Sequence, residues 1–238
     1  MKNLQYHKEE IEDLGYTVIP DFFDQSEIGH IVQIISNINP SGEKFRKSKD
    51  IFAIRQFLSE VPQVQPIVFN PRLNELIIEL FDDKYFVVKS IYFDKPESSN
   101  WYVGYHQDLT ISVDKKRKLD NFTSWTVKQD QFAVQPPIEI LENIFTIRIH
   151  LDDTNEENGA LKVIDKSHKK GIYRPENINW KTEIETFCNV NSGGIMIMKP
   201  LLLHGSNRTV NNRKRRVIHI EFSNRELPHD LKWSERRN

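Results

Sequence analysis

At residue 85 the sequence changes period. From "YFVVKSIYF" (85 to 93) onward it carries β-branched and aromatic runs, which recur at 101 to 109, 144 to 151, 160 to 164, 194 to 198 and 213 to 222. Short strands of this kind, parted by turn chemistry such as "NEENG" (155 to 159) and "SGG" (192 to 194), belong to a sandwich or barrel. Ahead of the break the pattern is mostly helical. A short helix ends at Gly15, a strand "YTVIPDF" follows, a second helix opens at Asp24 or Ser26, and a third runs over 71 to 82 behind Pro71. In the second helix Ile28, Ile31, Ile35 and Ile38 recur at steps of three and four, which marks one buried face. The expectation is an α+β chain forming one domain over 1 to 238, with a helical part over about 1–84 and a β-barrel over about 85–225.

Composition narrows the function classes. With 38% apolar and 28% charged residues over 238 positions, the chain reads as an ordinary soluble protein large enough to bury a core. Lys+Arg 33 against Asp+Glu 34 leaves a formal charge of −1, which argues against nucleic acid and membrane partners. The basic cluster "NNRKRRV" (211 to 217) reads as a solvated turn entering a strand. Cys188 is the single cysteine, so no internal disulfide and no multi-cysteine metal site is possible; it reads as a small hydrophobe. The N-terminal stretch is charged, and no run approaches the roughly 20 apolar residues of a membrane helix. A cytoplasmic setting is the expectation.

"NWYVGYHQDL" (100 to 109) puts His106 and Asp108 two apart in a strand-like run, hence on one face. Two ligands do not close a metal site. A third candidate, His204, ends an apolar strand in "IMIMKPLLLHGSN". Two histidines and one carboxylate form the facial set typical of non-haem Fe(II). Ser206 shares the face of His204, and a hairpin through "VNN" would return Arg215 beside the metal end. An arginine against an apolar wall needs an anion, and a dicarboxylate bound to the metal at its other end would supply one. Each piece has a plainer explanation, since His204 suits a hydrogen-bonded core position and Arg215 lies in a basic run; the joint spacing is what points to a site. Residues 110 to 143 are long and mixed, and read as an inserted lid.

These segments together resemble the phytanoyl-CoA dioxygenase-like family of Fe(II)/2-oxoglutarate-dependent oxygenases. "GYTVIPDFFDQSEI" is similar to that family's N-terminal strand and helix, and "HQDL" to its proximal iron motif. "IHLDDTNEENGALKVIDKSHKKG" is similar to its middle segment, and "LLLHGSNRTVNNRKRRVIHIEF" to its distal histidine and arginine region. One departure is "DKSH" at 165 to 168, where the family commonly has "PGSH". The resemblance implies a double-stranded β-helix, a cupin-like jelly-roll barrel with N-terminal helices packed on one sheet. It assigns His106, Asp108 and His204 to iron, and Arg215 with Ser206 to the distal carboxylate of 2-oxoglutarate. The implied reaction uses Fe(II), 2-oxoglutarate and O2 to hydroxylate or otherwise oxidise an unactivated C–H bond of a small molecule, releasing succinate and CO2. Two other readings stay open: a jelly-roll binding module without turnover, and a zinc hydrolase built on the same ligands.

In "FTIRIHLDD" Arg148 and His150 alternate with apolar residues. If that polar face lines the barrel, Arg148 meets 2-oxoglutarate or an acidic substrate group; otherwise it pairs with an acid such as Asp152. His150 and Trp125 are candidate substrate contacts. Trp101 and Tyr105 are weaker candidates for the pocket wall, and His168 reads as structural. A neutral protein with a polar inner strand suits a small polar substrate, an amino acid or another carboxylic acid.

Overall fold

The computed structural model describes residues 4–39, 44–47, 52–96, 102–128, 131–211 and 213–237. Its backbone is a seven-stranded antiparallel sheet of β1 (Tyr16–Ile19), β12 (Ile195–Met198), β9 (Ile144–His150), β14 (Arg215–Ser223), β4 (Phe86–Lys95), β3 (Phe52–Arg55) and β2 (Phe45–Lys47), in that order. Facing it is a four-stranded sheet of β11 (Glu185–Cys188), β10 (Leu161–Ile164), β13 (His204–Ser206) and β5 (Val103–His106). The two sheets form the jelly roll that the family resemblance implies, one of the sandwich or barrel forms that the strand pattern allows. β1, β2 and β3 come from the first 55 residues, so the large sheet draws on the part of the chain whose sequence pattern is mostly helical.

Strand alternation decides what each face of the large sheet does. On β9 Phe145, Ile147 and Ile149 point outward beneath the helices, while Thr146, Arg148 and His150 point between the sheets; all six are buried. β14 repeats this, with Ile218, Ile220 and Phe222 outward and Arg215, Val217, His219 and Glu221 inward. Helix α1 (Leu4–Asp13), α2 (Gln25–Ser36), α3 (Phe57–Glu60), α4 (Gln65–Val68) and α5 (Pro71–Leu80) cover the outward face. α2 opens on a full capping box: Asp24 accepts from the Glu27 amide at 2.8 Å, and the Glu27 carboxylate accepts from the Asp24 amide at 2.9 Å. Ile28 and Ile31 of α2, with Leu73, Leu76, Ile77 and Leu80 of α5, enter the core under these helices. Phe81 and Phe145 stack at 3.6 Å between ring centroids, joining the end of α5 to the sheet.

The expected hairpin after His204 does not form. β13 pairs with β5 and β10 in the small sheet, whereas β14 pairs with β4 and β9 in the large one. The turn carries the chain across the barrel, and this is how Arg215 comes to face His204 instead of flanking it. The basic cluster divides accordingly. Arg213 and Lys214 are exposed, Arg215 points inward, and Arg216 holds Asp152 through two hydrogen bonds of 2.9 and 2.6 Å.

Between 110 and 143 the described residues form regular structure. β6 (Ile111–Val113), β8 (Gln131–Gln135) and β7 (Thr123–Lys128) make a third antiparallel sheet, followed by α6 (Ile138–Glu142). Ile111, Val113, Val134 and Leu141 pack with Phe86, Val88 and Trp233 into their own core. Cys188 is buried in the inter-sheet core, and burial pushes its thiol up to about 12. Among the described residues no helix is long and apolar enough to cross a membrane.

Candidate metal centre

His106 and His204 stand directly opposite each other in the β5–β13 ladder, so their rings meet on one face with centroids 4.4 Å apart. Asp108 follows where β5 ends. Its oxygens lie 3.8 Å from the Nε2 atoms of both His106 and His204, and the three ligand atoms lie within 4.8 Å of one another. The histidines are aimed by their other nitrogens. His106 Nδ1 is 2.9 Å from the Gly104 carbonyl, and His204 Nδ1 is 2.8 Å from the Leu202 carbonyl. A carbonyl only accepts, so each Nδ1 carries the proton and each Nε2 presents a lone pair to the shared point. Burial pushes the His204 ring down to about 4, which keeps that lone pair available at neutral pH. Burial alone would raise the Asp108 carboxyl, but His204, His219, Lys89 and His106 outweigh it and hold the group ionised, below its ordinary value. The donor set, its spacing and its tautomers fit a divalent transition metal with one face left open.

Gln107, between the two ligands, turns the opposite way. Its amide donates to the Leu201 carbonyl at 2.5 Å and the Gly171 carbonyl at 2.9 Å, and its oxygen accepts from the Tyr173 amide at 2.8 Å. That anchor positions the turn carrying Asp108. The sequence carried a signal for this anchor, because alternation through "HQD" puts residue 107 on the buried side.

A cavity of about 110 Å3 connects the ligands to the large sheet; Phe93, Val103, Arg148, Leu161, Ser206, Arg215 and His219 also line it. Arg215 is 5% exposed and Arg148 is 6% exposed, and among the described residues neither meets a carboxylate. Arg215 donates to the Gly159 carbonyl, which also accepts from the Ser206 hydroxyl at 3.0 Å. Behind Ser206 stands a third buried cation, Lys95, whose ammonium donates to the Asn207 carbonyl at 2.7 Å. Burial and the neighbouring Arg215 push Lys95 down to about 8; burial and Arg148 likewise lower Arg215. Gly159 permits this crowding. It has φ +83°, and a Cβ there would sit 2.7 Å from the Lys95 ammonium and 2.9 Å from the Asn207 carbonyl.

Arg148 is not paired with Asp152, because Arg216 occupies that acid. It donates instead to His219 Nδ1 at 3.1 Å, which commits His219 Nε2 to donate to Glu221 at 3.1 Å; Glu221 in turn accepts from Lys89 at 2.7 Å. Asp108, His219 and Glu221 are close enough to suggest a second metal set, but these bonds make the group a hydrogen-bonded chain beside the first. A strand pattern carried the signal for these residues: Lys89 and Lys95 of β4 face inward at period two, as His219 and Glu221 do on β14.

Two residues expected to contact the substrate, His150 and Trp125, do not line the metal cavity. His150 points inward level with Val217, but its Nδ1 is 2.8 Å from the Thr154 hydroxyl and it does not line the metal cavity. Trp125 packs on the core of the inserted sheet, since alternation along β7 turns its neighbour Thr126 the other way. Tyr105 points out of the barrel to Glu185 and Trp180, and His168 bonds the Glu12 carbonyl at 3.2 Å. Trp101 lies outside the described residues.

The family model of phytanoyl-CoA dioxygenase matches residues 11–217. The chain belongs to the phytanoyl-CoA dioxygenase family. Its members are non-haem iron enzymes that use 2-oxoglutarate and O2, and this chain is an enzyme of that type. Among curated proteins none matches the sequence. Solved structures share the fold. EctD from S. alaskensis, crystallised with 2-oxoglutarate and 5-hydroxyectoine, has a TM-score of 0.71 at 17% identity, covering 92% of this chain and 75% of its own. HygX from Streptomyces hygroscopicus, with nickel, 2-oxoglutarate and hygromycin B bound, has a TM-score of 0.65 at 14% identity, covering 92% and 86%. The epimerase SnoN, in complex with Fe3+, α-ketoglutarate and nogalamycin RO, has a TM-score of 0.65 at 11% identity, covering 92% of this chain and 83% of its own.

Proposed function

We propose that this enzyme oxidises an unactivated C–H bond of a small molecule, an amino acid or another small carboxylic acid, with release of succinate and CO2. The observation that supports this reading is the pairing, across one cavity, of a two-histidine, one-carboxylate set with buried cations whose partners among the described residues are carbonyls and an imidazole. Burying guanidinium and ammonium groups without a counter-charge is unfavourable unless a ligand supplies one. A diacid does so while its other end reaches the metal. A zinc hydrolase would leave Arg215, Ser206 and Lys95 without that anion.

In this reading His106, Asp108 and His204 hold Fe(II), which with 2-oxoglutarate and O2 supplies the oxidising power for C–H cleavage. Arg215 and Ser206 grip the distal carboxylate, with Lys95 adding positive potential from behind. Arg148 offers a further cation on the same wall, and its Nε has no partner among the described residues. Phe93, Val103 and Leu161 exclude water from the region between. The His106 side chain remains 43% exposed against 6% for His204, so the metal is approached from the β5 edge.

Adding Fe(II) and 2-oxoglutarate without oxygen should produce the visible charge-transfer band of the chelate, and admitting O2 should then yield succinate. Bound metal with neither band nor succinate would overturn the oxygenase reading.

Lys95 gives this site a pH signature. Its ammonium is depressed to about 8 in the free protein, and a bound dianion raises it again, so binding above pH 8 requires proton uptake. The affinity for 2-oxoglutarate should be level below pH 8 and weaken as pH rises past it, by at most about tenfold per pH unit. Calorimetry in buffers of different ionisation enthalpy measures the uptake, and Lys95→Met should remove it. An unchanged pH profile in that variant would show that Lys95 plays no part.

A further inference from the structure

One aromatic hydrocarbon, Phe93 of β4, lines the metal cavity. It stands level with Val217 of β14, two residues from Arg215 on one side and two from His219 on the other, so its half-buried ring points between the sheets. Resting on the oxygenase reading above, we propose that Phe93 is a self-modification site: when 2-oxoglutarate is turned over with no substrate present, the Phe93 ring takes the oxygen atom and becomes a phenol.

Position supports the assignment. The other hydrocarbon side chains of the cavity, Val103 and Leu161, are both register partners of Ser206. They therefore flank the end where the distal carboxylate is gripped, and a bound diacid lies against them. Phe93 reaches in from the opposite sheet. Its ring meets that of His219 edge-on, with centroids 6.1 Å apart and planes at 89°. A His219 nitrogen in turn lies within 4.8 Å of the Asp108 ligand oxygen. Of the three hydrocarbons, Phe93 is the one on the metal side, and a cavity of about 110 Å3 leaves little space between its ring and the ligands.

Chemistry supports it as well. More easily oxidised groups stand aside: Cys188, Met196 and Met198 pack in the inter-sheet core, and none of them lines the cavity. The face of an arene is electron-rich, so it offers an electrophilic oxidant a better target than an aliphatic C–H bond does. A substrate closed over the metal prevents side reactions of this kind. With that cover withheld, a ring carried on the same chain competes at a high effective concentration. The step balances. One atom of O2 enters the ring as a hydroxyl at a former C–H carbon, and the other enters succinate. The ring C–H bond gives up one electron pair, and 2-oxoglutarate gives up the second as it loses CO2.

The test uses the full-length protein loaded with Fe(II) and 2-oxoglutarate without oxygen, the chelate band serving as the control on loading. O2 is then admitted with no substrate added, and the digested protein is mapped by mass spectrometry beside a sample kept without oxygen. The peptide carrying Phe93 should gain the mass of one oxygen atom, at least about tenfold more often than any other peptide, and fragmentation should place the gain on residue 93. The same peptide from Phe93→Tyr supplies a reference phenol. The oxygen-free sample and a sample loaded with Ni(II) should stay unmodified, and in Phe93→Ala the gain at residue 93 should be lost. Succinate formed with no oxygen on residue 93, oxygen placed instead on Val103, Leu161 or a liganding histidine, or no succinate at all from protein that shows the band would each overturn the proposal. Metal-loaded protein that shows neither band nor succinate would instead remove the oxygenase reading.

Discussion

Asp108→Ala should lower succinate formation by about 10³-fold or more, because a metal at this site contributes several kcal/mol to the reaction and each 1.36 kcal/mol is a factor of ten. Asp108 is the only anionic member of its set, and it touches both histidines at 3.8 Å. Removing it leaves two neutral imidazoles beside Arg148 and Lys89, an arrangement that repels a dication. The same variant supplies a reading independent of turnover. Ni(II) at about 100 times its dissociation constant stabilises a native site by about 2.7 kcal/mol, which for a chain of this size corresponds to roughly 5–10 °C in Tm. That shift should vanish in Asp108→Ala. Turnover at the unsubstituted level, or a metal-induced shift of undiminished size, would exclude Asp108 as a ligand.

The ligand set was legible because each part of it follows from local rules. Alternation puts His106 and Asp108 on one side, and an apolar strand ending in histidine brings His204 to a barrel rim. What the sequence hid was pairing across long separations. β13 has three residues and β14 nine, and nothing local in "HGSNRTVNNRKRR" tells whether the second strand folds back on the first or crosses to the other sheet. The crossing is settled by β4 and β9, both far away in the chain, which pair with the two edges of β14, and by the helices that cover its apolar face. β2 and β3, of three and four residues, are too short to show a period. The inserted sheet was hidden for a different reason. β7 is irregular against β8 between Thr123 and Thr126, and Asn121 and Ser124 take positive φ, so its strands lack a clean alternation. That is why the sequence did not show that Trp125 packs on the core of this sheet. Lys89 and Lys95 were readable in principle, yet cations in "FVVKSIYFDK" look like solvated positions until the sheet is known to be covered on both faces.

That last point separates the two kinds of polar residue inside the barrel. Gln107 and Glu221 have their bonds completed within the protein and serve to hold other groups in place. Arg215 does not: its guanidinium is lowered by burial and by Arg148 nearby, and among the described residues it is answered only by the Gly159 carbonyl. Arg215→Leu should therefore raise the KM for 2-oxoglutarate by about thirty-fold to several thousand-fold, the equivalent of about 2–5 kcal/mol for truncating one side of a buried charged pair. Gly159 keeps the Ser206 hydroxyl as its donor, so the substitution orphans no acceptor and removes an unfavourable buried charge. The free variant should melt no lower than the unsubstituted protein, while the stabilisation that 2-oxoglutarate confers on the metal-loaded form disappears. A structural arginine would give the reverse, a lower Tm with co-substrate affinity intact, and that pair of results would take the diacid away from this end of the cavity.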